Sequence, residues 1–246
     1  MEGNLSELSF FATLALGVIL GLRHALDPDH LVAVSTIVCE YRNPLRAFWI
    51  GFSWGLGHTT TLLLFGVVFI ALRLNIPDGM VRLFEALVGI MLIGLGAQVI
   101  FQFRKKKTHQ HVHVHDKQAH SHFHSHAQDP DHDRRHHNLS TLGKPFFRKK
   151  SYFVGTVHGF AGSAALALLV LASMQSPLAG IAYILVFGMG SLLGMGIMTV
   201  IISLPFVFSA IRLPNLNLCI QFSVGALSIL FGCFMIYRIF LPEGFF

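Results

Sequence analysis

Arg23, His24, Asp27, Asp29 and His30 crowd into the segment GLRHALDPDHLVA, Gly21 to Ala33, inside a run that is otherwise apolar from about Phe10 to Val38. A run of that length can cross a bilayer. Two imidazoles with one or two carboxylates form a donor set for a borderline divalent metal such as nickel, cobalt or zinc. Ionisable groups are costly at membrane depth and normally face a protein interior or a water-filled path. Pro28 has no N–H to offer the carbonyl of His24, so an ideal helix cannot run through this segment unbroken. On a straight helix His24 and His30 would stand about 120° apart, with Asp29 turned away. A break at Pro28 would let all four groups converge. The plain alternative is a turn at the membrane interface with ordinary charges.

Two further histidines, His58 and His158, stand singly in apolar segments. A lone buried histidine is commonly a neutral packing residue. Here every histidine outside the central loop falls in an apolar segment beside a glycine-rich stretch, which favours a ligand role for His58 and keeps His158 a candidate. The glycines before His58, in GFSWGLGH, would let helices approach closely, which packing alone also explains. Met189, Met195 and Met198 read as packing residues, since methionine fills irregular gaps. Glu85 reads either as a cation relay or as a charge at headgroup level. Cys39, Cys219 and Cys233 are too widely spaced for a CxxC redox or zinc motif.

The central loop holds a second chemistry. His109, His111, His113 and His115 alternate, as do His120, His122, His124 and His126, and His132, His136 and His137 follow. An extended chain places each alternating set on one side, where neutral imidazoles chelate nickel, zinc, cobalt or copper with little discrimination. Eleven histidines in twenty-nine residues argue for accessory metal capture rather than an incidental linker. The polarity of the loop predicts disorder without metal.

These groups need elements to position them. Of the 246 residues, 53% are hydrophobic and 12% charged, with a mean hydropathy of +0.62. Soluble domains carry about 25% charged residues, so an integral membrane protein is expected. The net charge of +6 does not mark a nucleic-acid partner, because eleven of the eighteen Lys and Arg lie between Arg104 and Lys150. The N-terminus lacks a basic region, so no cleaved signal peptide is expected. Apolar segments predict six spans, at about 10–38, 48–72, 81–103, 152–174, 178–208 and 218–240. Basic residues concentrate in the loops on one side, which predicts a cytoplasmic loop over 104–150 and both termini outside. Arg104 to Lys107 and Arg148 to Lys150 suit anionic headgroups at that face.

The halves 1–103 and 151–246 also look related. Gly21 and His24 align with Gly155 and His158, placing Pro28 opposite Gly162. Gly51 and Leu56-Gly57-His58 align with Gly188 and Leu193-Gly194-Met195. Three spans per half is an odd number, so the repeats must be inverted across the membrane, a recurring plan for carriers with a midplane site. The expected fold is therefore all-α, a polytopic transmembrane helical protein of six spans in two inverted three-helix repeats. His24 and His158 should then face each other across the pseudo-two-fold axis.

The run from His24 to His30 resembles the HX4DH signature of the nickel/cobalt transporter superfamily. Leu56-Gly57-His58 with Thr59 to Thr61 is similar to that family's second motif, and His158-Gly-Phe-Ala-Gly-Ser resembles its six-span members of the UreH type. The acidic, Thr-containing motif that other nickel permeases carry in their second half does not occur here. The resemblance implies a multi-pass carrier in the cell (inner) membrane for Ni2+ or Co2+, with no prosthetic group. Its metal site would be built from His24, Asp27, Asp29, His30, His58 and His158. Metallochaperones or nickel-enzyme maturation proteins would be its partners, and efflux remains an alternative to uptake. No GxxxxGK[ST] motif is present, so the chain is not expected to use ATP itself. Two other classes stay open. His24-x4-Asp29 matches the HX4D pattern of membrane acyltransferases, in which Asp orients His as a base. A membrane thiol–disulfide carrier would need a reactive cysteine in each half, and only Cys39 lies in the first.

Overall fold

The computed structural model describes residues 2–39, 41, 43–72, 78–106, 111–115, 118–122, 147–160 and 176–241. They form seven helices: α1 (Glu2–His24), α2 (Pro28–Val38), α3 (Pro44–Leu72), α4 (Asp78–Lys106), α5 (Lys149–His158), α6 (Pro177–Arg212) and α7 (Pro214–Ile239). The histidine loop contributes a hairpin of β1 (His111–His115) and β2 (Gln118–His122).

The first apolar run is broken as its sequence demands. Steric conflict with the ring of Pro28 disfavours helical backbone at Asp27, which is extended at φ −61° and ψ 140°. α1 closes on a tight turn, with Leu26 N–H donating to Arg23 C=O at 2.8 Å and Asp27 N–H to His24 C=O at 3.1 Å. Pro28 then opens α2 at a position where its missing N–H costs nothing. The stretches Phe11–His24 and Pro28–Val38 meet at a bend of 54°.

Among the described residues, α4, α6 and α7 are each long and apolar enough to cross a membrane, and the bent α1–α2 pair makes a fourth candidate. α3, expected as the second span, is 29 residues long but stands outside that set. Its composition is nonetheless apolar, with Ser53, His58 and Thr61 buried along its middle. The fourth expected span falls partly on residues 161–175, outside the described residues.

α3 and α6 form the central pair, with α1 packed on α6 and α5 on α3. α4 and α7 form a second pair, joined to the first through α2, which touches both. Trp54, Ile50, Val38, Val88, Leu92 and Met195 share the core between these groups. The periphery is apolar as well: Leu64, Ile90, Ile201 and Leu230 are exposed. A rim of that kind, around helices that satisfy their own backbone hydrogen bonds, suits a hydrocarbon solvent.

Glycine sets the closest approaches. A Cβ at Gly155 would collide with the carbonyl of Trp54, and one at Gly57 with the carbonyl of Tyr152, so α3 and α5 touch backbone to backbone. In the other pair, a Cβ at Gly96 would strike the carbonyl of Gly225, and one at Gly232 the carbonyl of Gly89. In the loop, the antiparallel register sets His111 opposite His122 and His113 opposite His120. Those ten residues are paired strand, and the other loop histidines lie outside the described residues.

Candidate metal centre

The end of α1, the start of α2, the middle of α3 and the end of α5 meet at one point. His24 closes α1, His30 stands in the first turn of α2, His58 lies halfway along α3 and His158 ends α5. All four histidines are buried, with exposures of 5% or less. The contacts between helix backbones at Gly57 and Gly155 are what allow His58 and His158 into one cluster. On the opposite wall, a Cβ at Gly21 would collide with the carbonyl of Phe187, so α1 lies equally close to α6.

His30 is the middle ring. Its centroid is 4.3 Å from that of His24, 4.1 Å from His158 and 5.3 Å from His58. It therefore stands between the two histidines that the sequence repeat pairs. His24 Nε2 is 3.1 Å from His58 Nε2, and His24 Nδ1 is 2.7 Å from Asp27 Oδ2. Asp29 bridges the other side, with Oδ1 3.0 Å from His30 Nδ1 and Oδ2 2.9 Å from His158 Nε2. Both carboxylates are more open than the rings, Asp27 at 44% and Asp29 at 19% side-chain exposure.

Three buried ring nitrogens in this cluster have no hydrogen-bond partner among the described residues: His30 Nε2, His58 Nδ1 and His158 Nδ1. An unsatisfied buried polar atom costs about 1–3 kcal/mol, and such groups are rare in folded proteins. Their concentration in one cluster matches a need for open donors. Ligand atoms of His24, His30 and His58 lie within 4.8 Å of one another, as do those of Asp29, His30 and His158. His30 belongs to both sets. An arrangement of this type can replace the water shell of a borderline divalent ion with imidazole nitrogen.

All six residues expected at the membrane site are thus drawn into one network. Sequence reasoning missed Trp54, which is 1% exposed and packs its ring 5.1 Å from His30 and 5.4 Å from His158. Its position four residues before His58 puts it on the same helical face, a signal that was available. Phe187 closes the other side, 5.6 Å from His24. Met195 is buried in the core and Met189 is exposed; neither belongs to the cluster. Cys39 is buried, and Cys219 and Cys233 are exposed, all outside it. Glu85 is half-buried on α4, which supplies no side chain to the cluster.

Fold and site together define a helical integral membrane protein with a buried histidine centre at a broken helix. The chain belongs to the NicO family, described as high-affinity nickel-transport protein, whose profile matches residues 10–241. It is 38% identical to the urease accessory protein UreH of Bacillus sp. (strain TB-90) over 247 residues, covering 98% of each chain. It is also 24% identical to the chloroplast protein FOR GROWTH AND FERTILITY 2 of Arabidopsis thaliana over 206 residues, or 81% of this chain and 49% of that one. No solved structure matches the chain.

Proposed function

We propose that this protein carries a divalent transition-metal ion across the membrane, nickel first and cobalt second, through the site formed by His24, Asp27, Asp29, His30, His58 and His158. The observation that carries this reading is the set of buried ring nitrogens left open at a helix break, in a chain of a nickel-transport family. An ion entering an apolar interior must exchange its water for other donors. Neutral imidazoles supply them, and the two nearby carboxylates offset the charge. The acyltransferase alternative needs Asp29 to orient His24; instead Asp29 engages His30 and His158, and His24 engages Asp27.

The architecture we infer is six spans in two inverted halves, 1–103 and 151–246. The glycine contacts between α4 and α7 support it. A constant offset of 136 residues takes Gly89 to Gly225 and Gly96 to Gly232, and so exchanges the two contacts that pair Gly89 with Gly232 and Gly96 with Gly225. The packing of α1 on α6 is likewise matched by that of α5 on α3. Residues 104–150 would form a cytoplasmic loop that gathers metal, and the cell (inner) membrane is the proposed location. The name of the Bacillus relative suggests delivery to proteins that mature a nickel enzyme.

Radioactive nickel flux in cells or vesicles, at matched membrane abundance, tests the reading. His24→Ala is expected to abolish flux, and excess cobalt to compete where magnesium does not. Normal nickel flux through His24→Ala would refute this assignment of the path.

A further inference from the structure

We propose that Asp27 and Asp29 are positioning residues, and that the ion is held by imidazole nitrogens alone: His24 Nε2, His30 Nε2 and a nitrogen of His58. This rests on the transport reading above and divides the labour within that site. A neutral imidazole has one N–H and one lone pair, and an ionised carboxylate can only accept. Each hydrogen bond to a carboxylate therefore fixes which ring nitrogen keeps the lone pair.

His30 Nδ1 lies 3.0 Å from Asp29 Oδ1, so Nδ1 carries the proton and donates. The lone pair is left on Nε2, which is buried and without a hydrogen-bond partner. His24 Nδ1 donates to Asp27 Oδ2 at 2.7 Å, which leaves its lone pair on Nε2. His58 Nε2, 3.1 Å away, must then donate to His24, and its own lone pair falls on the unpartnered Nδ1. His158 donates from Nε2 to Asp29 Oδ2 at 2.9 Å and braces the carboxylate from the far side.

Asp29 is already occupied. Its Oδ1 accepts the backbone N–H of His30 at 2.9 Å in addition to the ring N–H, and its Oδ2 accepts from His158. An ion bound to Asp29 would displace bonds that hold two rings in place. An ion bound to His24 and His30 at Nε2 displaces only the bond from His58, which then supplies a further donor. The carboxylates raise the basicity of the rings they orient. A neutral, all-nitrogen donor set selects borderline ions that favour imidazole, nickel, cobalt, copper and zinc, over magnesium, calcium or manganese, which favour oxygen.

The test uses the full-length chain with its eleven loop histidines changed to glutamine, which leaves only His24, His30, His58 and His158. Nitrogen-15 NMR of labelled histidine reads the tautomer of each ring in detergent. Zinc, a diamagnetic borderline ion, then serves as the probe. Without zinc, His24 and His30 are expected as Nδ1–H tautomers and His158 as Nε2–H. With zinc, the Nε2 resonances of His24 and His30 shift while their Nδ1 protons stay. Asp29→Asn is expected to weaken zinc binding roughly 10–100-fold with the same nitrogens ligated at saturation. Asp27→Asn, altered at a more exposed group, is expected to act likewise through His24. Zinc-induced shifts at His30 Nδ1 and His158 Nε2 would place Asp29 in the coordination sphere and overturn the division of roles, leaving the transport site standing. Absence of any zinc effect on the four histidines would overturn both.

Discussion

His30 is the residue on which the centre turns. It touches the rings of His24, His58 and His158, packs on Trp54, and belongs to both groups of convergent ligand atoms. Its place in the first turn of α2 means that the break at Asp27 and Pro28 aims it directly. His30→Ala is expected to remove nickel flux as fully as His24→Ala, because His30 alone of the four histidines belongs to both groups of convergent ligand atoms found among the described residues. Flux assays at equal membrane abundance check this, and retention of half the flux would contradict it. Trp54 has a different task. It fills the wall beside His30 and His158 and offers no lone pair, since an indole nitrogen only donates. Trp54→Ala should cost roughly 3–5 kcal/mol through the cavity it leaves, and Trp54→Phe clearly less. Thermal inactivation in detergent would rank the two, and equal stability would show that the ring does not hold the wall.

At the scale of elements, the centre exists because α3 and α5 touch without side chains between them. A methyl at residue 155 has nowhere to go, since it meets the rigid backbone carbonyl of Trp54. Gly155→Ala is therefore expected to cost about 1–3 kcal/mol by overpacking. It should also lower flux by moving His158 away from Asp29. A fully active and stable Gly155→Ala chain would show that α5 can shift freely. Much of this was legible in the sequence. The charges around Pro28 announced a broken helix with convergent groups, since the ring of proline and the cost of buried charge act locally and can be read residue by residue. The glycines before His58 announced close packing. Other features depend on neighbours distant in sequence. That Asp29 reaches His158, and that His30 separates His24 from His158, follow from how four helices meet. The pairing of β1 with β2 needed a register that alternating histidines alone do not specify.

For the whole molecule, the two proposed metal-binding regions differ in what an ion must do there. The helix site has few donors, each fixed by packing, and lies within the part of the chain that crosses the membrane. The loop has eleven histidines that can substitute for one another, and no ion need pass through it to cross. Deleting residues 108–137 is therefore expected to leave nickel flux working while changing its dependence on metal concentration at the loop's side of the membrane. A tethered set of ligands raises the local concentration at the mouth of the path, an effect that grows as free metal becomes scarce. The proposed orientation, argued from the basic clusters flanking the loop, puts that side in the cytoplasm, so a protease site inserted near residue 128 should resist cleavage from outside intact cells. Cleavage there would reverse the orientation. Flux measured over a range of nickel concentrations, in the deleted and complete chains at matched abundance, decides the larger point. If the deletion abolishes flux while His24→Ala preserves it, the path runs through the loop's ligands and the helix site is only structural.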